Sequence, residues 1–433
     1  SYAPLTPETV ADWFVYLRPL NGLPLEAYRQ WETLSDFMGL FDRRNVQHTV
    51  FQVPYANLRV LAAGWRRGPL DDSQLNLVRS ELRRGMEAGA VGLSTGLDYV
   101  SQCFATTDEL VGVCEAMAPY DGLYVSHVRY KEGVLRGVQE AVEIGRRAGV
   151  KVHISHLKGL SPLESQQLLE YIERVARHEV DFSFDVYPYM PGSTLLASLL
   201  PYEVWEDGPL GVTARLSDRA LRRRIAMTLE GYKTPIDHAI LAWVASRHNA
   251  PYVGRSLADY AAARGVPLED AIADLLIEEQ LAVTCVFRGM DDSLIGPFLQ
   301  HPLQMLGSDG IYFPDGHVHP RVWGSAPRML GPLVRERRLF SLEEAVRKLS
   351  GYPAARFGLV DRGEIRPGAW ADLVVFDPDT ITDRATFEDP HQQSEGIHSV
   401  MVGGQLIFSD GAPVHQAADA LPGRVLRYKQ ATV

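Results

Sequence analysis

Leu123-Tyr124-Val125-Ser126-His127 is a short apolar run, rich in β-formers, that closes on a histidine; Val152-His153-Ile154-Ser155-His156 repeats the pattern. Between them, Gly133 to Ala148 sets Val134, Val138, Ala141, Val142 and Ile144 on one helical face. The two closing histidines are 29 positions apart, the length of one strand–helix–strand unit. A right-handed crossover lays two such strands side by side and parallel, with their C-terminal ends at one edge. His127 and His156 are therefore expected on neighbouring strand tips, pointing into one site. A single histidine at a strand end is ordinary polar punctuation. A matched pair on rigid strand ends suits a divalent metal such as zinc.

Working outward, the alternation continues in both directions. Strands are expected near residues 46, 90, 123, 152, 180 and 303, which makes six strand–helix units. Such alternation builds either an open doubly wound sheet or a closed barrel. No Gly-rich dinucleotide fingerprint follows the first strand. Polar residues stand instead at several strand ends (Ser94, His127, His156, Asp185, Asp309), as at the mouth of a (β/α) barrel. A closed barrel of this type needs eight strands, so the expected fold is an α/β, TIM-like barrel represented here by strands 3–8 only. Residues 194–300 read as mostly helical and are far longer than an ordinary connection; they are expected to be an insertion over the site. Beyond residue 360 the alternation stops. Asp372-Leu373-Val374-Val375-Phe376 reads as a strand, and Gly403-Gly404 separates two more in a two-residue hairpin. The expected division is a hydrolase-type barrel over 1–360 and a β-sandwich portion over 361–433.

The chain has 433 residues, with 46% hydrophobic and 22% charged, as in a water-soluble globular protein. Its formal charge of −11 argues against a nucleic-acid backbone as the main partner. Cys103, Cys114 and Cys285 fit neither a disulfide framework nor a zinc ribbon, so a reducing, cytoplasmic setting is expected. No apolar run is long enough to span a bilayer. The first residue is Ser1 rather than methionine.

Beside the two histidines, Asp309 lies between glycines after the last barrel-like strand, in Gly307-Ser308-Asp309-Gly310. A carboxylate there can bind a metal, take a proton from metal-bound water, or do both. Lys158, Arg129 and Arg321 are cations able to hold a substrate carboxylate. His317 and His319 mimic a metal-binding His-x-His pair but sit in a Gly/Pro-rich loop, where the non-ligand reading is preferred. Cys103 is placed near the mouth. His48 and His153 read as structural.

Several stretches then resemble one family. Gly89-Ala90-Val91-Gly92-Leu93-Ser94-Thr95-Gly96, Ser126-His127-Val128-Arg129, Ile154-Ser155-His156-Leu157-Lys158, Asp185-Val186-Tyr187-Pro188-Tyr189, Gly307-Ser308-Asp309-Gly310 and His319-Pro320-Arg321-Val322-Trp323-Gly324 are similar to the D-aminoacylases (N-acyl-D-amino-acid deacylases) of the amidohydrolase superfamily. So are the stretches from Arg366 to Asp377 and from Ala385 to His391, and the likeness runs over nearly the whole chain in the family's order.

The resemblance implies a metal-bearing (β/α)8 barrel beside a β-sandwich, and zinc-assisted hydrolysis of the amide of an N-acyl-D-amino acid. It implies that His127 and His156 bind the tighter Zn²⁺ with a bridging cysteine, a second ion being possible. It makes Asp309 the acid/base and gives Lys158, Tyr99 and Arg321 the substrate carboxylate. The family's opening half-sandwich, its His-x-His strand and its Gly-Asn-Cys-Gly strand have no counterpart here. The expectation is therefore an N-terminal companion chain, a separate subunit or a cleaved precursor fragment, that supplies strands 1–2 and the bridging cysteine. After His127-Val128-Arg129 the family's acidic or amide residue is replaced by Tyr130. The Ser94 strand end offers no lysine of the kind that bridges two metals in hydantoinase-like relatives. Two other readings stay open: a non-catalytic or regulatory subunit of an amidohydrolase complex, and a hydrolase of a cyclic amide or peptide-like natural product.

Overall fold

The structure, a computed structural model, describes residues 2–231, 235–414 and 421–430. Its central sheet has six parallel strands: Val53–Pro54, Gly92–Gly96, Leu123–His127, Lys151–Ile154, Phe182–Val186 and Gln304–Leu306. They lie side by side in chain order. A doubly wound sheet reverses its order at a switch point. This one does not, so it winds in a single direction. Leu93, Tyr124, Val152, Ile154 and Phe184 are all buried, as strands covered on both faces require.

These are the six strands the sequence predicts, with one change. The first expected strand is split. Thr49–Val50 pairs with Val425–Leu426 near the end of the chain, and only Val53–Pro54 joins the main sheet. Pro54 has no N–H to give a second neighbour, which suits an edge. The other edge is Gln304–Leu306. Among the described residues the two edges do not pair with each other, and no seventh or eighth strand joins them.

The helix that crosses between the two histidine strands spans Val134–Ala148. Its buried face is Val134, Val138, Ala141, Val142 and Ile144. It sits low on the sheet because Gly145 has no side chain: a Cβ there would meet Val152 Cγ2 at 2.2 Å. Gly149, at φ +69°, ends the helix by returning its N–H to the Gly145 carbonyl.

The segment expected to be a mostly helical insertion is so, and it also carries a small sheet. Gly192–Leu195, Val283–Phe287 and Ile240–Val244 form a three-stranded antiparallel sheet, with Val283–Phe287 in the middle. Helices Pro209–Arg215, Arg219–Glu230, Leu257–Arg264 and Leu268–Glu278 complete it. A short buried apolar run such as Ile240-Leu241-Ala242-Trp243-Val244 carries no period that separates strand from helix. The helix Val10–Asn21 packs on this insertion through Tyr16, whose ring centre lies 5.5 Å from that of Trp205, and on Trp65 through Trp13, at 4.9 Å.

The tail carries a four-stranded antiparallel sheet: Leu373–Phe376, Ile397–Val402, Gln405–Ser409 and Ala412–Pro413. Gly403 and Gly404, at φ +55° and +82°, make the expected two-residue turn, which needs left-handed backbone at both positions. Asp372, just ahead of the first strand, accepts from His48 Nε2 at 2.9 Å and from the Gly403 N–H at 2.8 Å. That pair ties the tail to the start of the barrel-like unit.

Candidate active site

The parallel strands point their C-terminal ends into a cavity of about 850 Å³. His127, His156, Asp98, Tyr99, Lys158 and Asp309 all contribute to its wall. His127 is the last residue of its strand, as expected. His156 is not on a strand. The strand ends at Ile154, and His156 follows in a turn with φ +41°. A non-glycine residue is rarely held there. Asp185 holds it: its Oδ1 accepts the His156 N–H at 2.8 Å, while its Oδ2 takes His153 Nε2 at 2.9 Å. Buried His153 thus acts behind the site, anchoring the carboxylate that shapes the His156 turn. Asp309 has φ +49°, so two of the cavity's polar residues are locked in left-handed backbone.

The two imidazoles face each other, His127 Nδ1 to His156 Nε2, at 3.0 Å. Their outer nitrogens have separate partners. His127 Nε2 lies 3.3 Å from Asp98 Oδ2, where it donates. His156 Nδ1 lies 3.2 Å from the Tyr130 hydroxyl. The same hydroxyl is 3.2 Å from the carbonyls of Ser155 and His156. With its one proton on a carbonyl, it accepts from His156 Nδ1–H. Both outer nitrogens then carry hydrogens, and both facing nitrogens present lone pairs. In that tautomer a cation can join the two nitrogens, and in the other the 3.0 Å contact is an N–H···N hydrogen bond between the rings. Nitrogens each about 2.05 Å from a tetrahedral zinc lie about 3.3 Å apart. The pair therefore fits a metal, and the outer partners are those that usually orient metal-binding histidines. Among the described residues no group of three or more histidine, cysteine, aspartate or glutamate side chains is arranged to hold a metal together.

The electrostatics agree. Burial, followed by the neighbouring His127, holds His156 well below the ordinary imidazole range, so it is neutral and able to ligate. Burial pushes the Asp98 carboxyl up, but its hydrogen bond with His127 and the nearby Lys131 ammonium outweigh it, and Asp98 lies below its usual range. Asp98 also accepts from the Tyr130 N–H at 2.9 Å and from the Tyr202 hydroxyl at 3.0 Å.

Asp309 and Arg321, expected in separate roles, form one ion pair, Nη1 to Oδ2 at 2.9 Å. Arg321 is wholly buried and does not line the cavity; Asp309 stands between. The guanidinium also donates to the Ser193 carbonyl at 3.0 Å and lies 4.4 Å from the centre of the Tyr187 ring. Lys158 does line the cavity. Its Nζ donates to the Tyr187 hydroxyl at 2.7 Å and to the Met190 carbonyl at 2.8 Å. Burial, then the charge of Arg321, brings the Lys158 ammonium well below its ordinary value. Tyr99 places its hydroxyl 3.0 Å from Thr194 Oγ1, and burial raises its pKa to about 12.

Other candidates lie elsewhere. Arg129 is spent on Glu140 and on the carbonyls of Cys103 and Ala105. His317 bonds the Phe387 carbonyl and His319 the Pro191 carbonyl, so neither joins the histidine pair. Burial pushes the Cys103 thiol up to about 12. Sequence reasoning missed Asp98 and Tyr130 as partners of the two histidines. The available signal was placement: Asp98 falls in the loop that follows the Gly92–Gly96 strand, and Tyr130 just after the His127 strand.

The profile of the amidohydrolase family matches residues 82–408. A D-aminoacylase of Alcaligenes xylosoxydans xylosoxydans is 36% identical over 413 residues, covering 94% of this chain and 76% of that protein. The crystal structure of N-acyl-D-glutamate deacylase from Bordetella bronchiseptica, complexed with zinc and a phosphonate mimic of the tetrahedral intermediate, superposes with a TM-score of 0.79. It is 33% identical and covers 99% of this chain and 80% of its own. A solved D-aminoacylase described with a binuclear metal centre gives 0.77 at 31% identity, over 99% of this chain and 79% of its own. Each relative accounts for nearly all of this chain with one longer polypeptide, so the expected companion chain gains no support from them.

Proposed function

This chain belongs to the amidohydrolase family, and from that membership we propose that it hydrolyses the amide bond of N-acyl-D-amino acids. The observation that carries this reading is the His127–His156 pair, whose ring nitrogens face each other at 3.0 Å in a cavity wall that also holds Asp309. His127 and His156 would hold a zinc ion. When bound, zinc polarises the acyl carbonyl and acidifies water to a pKa of about 7. One tightly held ion is the simplest loading, with a second optional, as the binuclear relative allows.

The chain's own residues then divide the work. Asp98 and Tyr130 fix the tautomers and orientation of the two imidazoles. Asp309 takes a proton from the attacking water and returns it to the leaving nitrogen. The C–O bond forms, the C–N bond breaks, and carboxylate and amine leave. Arg321, behind Asp309, aims the carboxylate from its ion pair. Lys158 and Tyr99 receive the substrate's α-carboxylate from the cavity wall.

In this reading the parallel sheet is strands 3–8 of an amidohydrolase barrel within 1–360, residues 194–300 roof the cavity, and 361–433 form the β-sandwich portion. Three unpaired cysteines support a reducing, cytoplasmic setting; no helix among the described residues is long and apolar enough to cross a membrane. The relatives' activities favour this reading over a non-catalytic subunit and over a cyclic-amide or natural-product hydrolase. The test is a panel of N-acetyl-D- and L-amino acids with zinc analysis of the same sample. Bound zinc and D-selective hydrolysis, both lost in His156→Ala, are expected. Zinc-free hydrolysis, or preference for L substrates, would defeat the reading.

A further inference from the structure

We propose that the tail loop of residues 385–391 is a positioning device for Asp309 and Arg321, acting through His317, His319 and His391. The proposal rests on the hydrolase reading above, which makes Asp309 the acid/base. It gives a role to two stretches that the histidine pair leaves unused: the His-x-His loop and the run from Ala385 to His391.

Residues 310–320 run from Asp309 to Arg321 as a loop, and the helix Arg321–Leu330 follows. With no helix or strand ladder to set its path, the loop is fixed from outside. The insertion holds one part: the His317 N–H donates to the Ala242 carbonyl at 2.7 Å, and Phe313 stacks on Trp243 with ring centres 4.2 Å apart. The tail holds it by an exchange of bonds. His317 Nε2 donates to the Phe387 carbonyl at 2.6 Å, and His391 Nε2 donates to the Gly316 carbonyl at 2.7 Å. Position 316 needs glycine, because a Cβ there would lie 2.8 Å from the Ala242 carbonyl oxygen.

A second path runs through side chains. The Phe387 ring stands edge-on to His319, with centres 5.0 Å apart. His319 is buried; its Nε2 donates to the Pro191 carbonyl at 3.0 Å, and its Nδ1 accepts the Arg321 N–H at 3.0 Å. Those two bonds need the neutral ring, and burial holds His319 well below the ordinary imidazole range. Arg321 in turn pairs with Asp309. The tail loop is itself braced. The Arg288 guanidinium lies 5.0 Å from the centre of the Phe387 ring and pairs with Glu388 at 3.1 Å, while Thr386 Oγ1 accepts the Asp389 N–H at 3.0 Å. An acid/base moved by about 1 Å can lose about a hundredfold in rate, so a brace on this loop bears on turnover and not on folding alone.

Steady-state kinetics of the zinc-loaded protein test the proposal in two double variants. In His317→Ala/His391→Ala, kcat should fall by about tenfold or more, with KM within about threefold of the parent. Zinc content should stay at the parent's level, because His127 and His156 belong to other strands and turns. In His317→Gln/His391→Gln an amide N–H can donate in place of Nε2, and most of the lost kcat should return. Unchanged kcat in the alanine variant overturns the proposal; so does an equal loss in both variants, or a loss of zinc. His391→Ala alone, at an exposed position, keeps the question open to measurement if the double variant does not fold. In it, amide exchange across residues 310–320 should quicken by about fivefold or more at His317, and unchanged exchange overturns the proposal. A parent that hydrolyses no N-acyl-D-amino acid defeats the hydrolase reading instead, and the exchange result then decides whether the tail holds this loop.

Discussion

At the scale of single residues, the site is built from groups that are individually unremarkable and jointly constrained. His127 and His156 can both present lone pairs because Asp98 and Tyr130 occupy their outer nitrogens. Asp98→Ala is therefore expected to weaken zinc binding by about tenfold or more while the fold survives. Competition against a chromophoric chelator measures it, and unaltered affinity would remove Asp98 from its supporting role. Lys158→Met should raise KM for N-acyl-D-amino acids by about tenfold or more, with a smaller effect on kcat, read from steady-state kinetics. The histidine pair was legible in the sequence because the spacing of one strand–helix–strand unit brings both residues to the same sheet edge, although His156 reaches it from the turn after its strand. Asp98 and Tyr130 were not, because they act from loops, whose path no periodicity encodes. The Asp309–Arg321 pair was equally hidden: their positions in sequence do not say that Arg321 lies behind the carboxylate rather than at the cavity wall.

At the scale of elements, close approach is set by what is missing from a side chain. The Val134–Ala148 helix reaches the sheet at Gly145, where the space of a Cβ belongs to Val152. Gly145→Leu should cost about 1–3 kcal/mol of stability by forcing helix and sheet apart, seen as a lower midpoint in urea. Part of the attachment of the tail is electrostatic, beside the apolar packing of Ile381, Phe376 and Ile397 on Leu330 and Ala345. Burial alone would raise the Asp372 carboxyl, but His48, the Gly403 N–H and Arg362 bring it down to about 2. A folded-state value below the unfolded one adds stability that is full above pH about 4 and is lost as pH falls toward 2. Asp372→Asn should thus cost about 1–2 kcal/mol at neutral pH, and the gap to the parent should close in acid, as thermal unfolding across pH would record. The parallel strands were readable from their alternation with helices. The three-stranded sheet of the insertion was not, since its short runs are apolar on both faces and look alike as strand or helix.

At the scale of the whole molecule, the sequential order of six parallel strands sets the site on one edge and the insertion over it. Fold class was legible because each strand–helix unit repeats the same signal. The join between the two ends of the chain, Thr49–Val50 beside Val425–Leu426, was not, because two-residue strands carry no pattern. Zinc removal should abolish hydrolysis and lower the thermal midpoint, and added zinc should restore both in a concentration-dependent way. A chelated sample of unchanged activity would contradict the proposed chemistry. Asp98 has one further consequence. It bonds His127 on one side and Tyr202 of the insertion on the other. Ion occupancy and roof position thereby become linked equilibria, and linkage runs both ways with equal strength. Loading the ion should slow amide exchange around Tyr202, and loosening Tyr202 by changing it to Phe should speed the ion's escape.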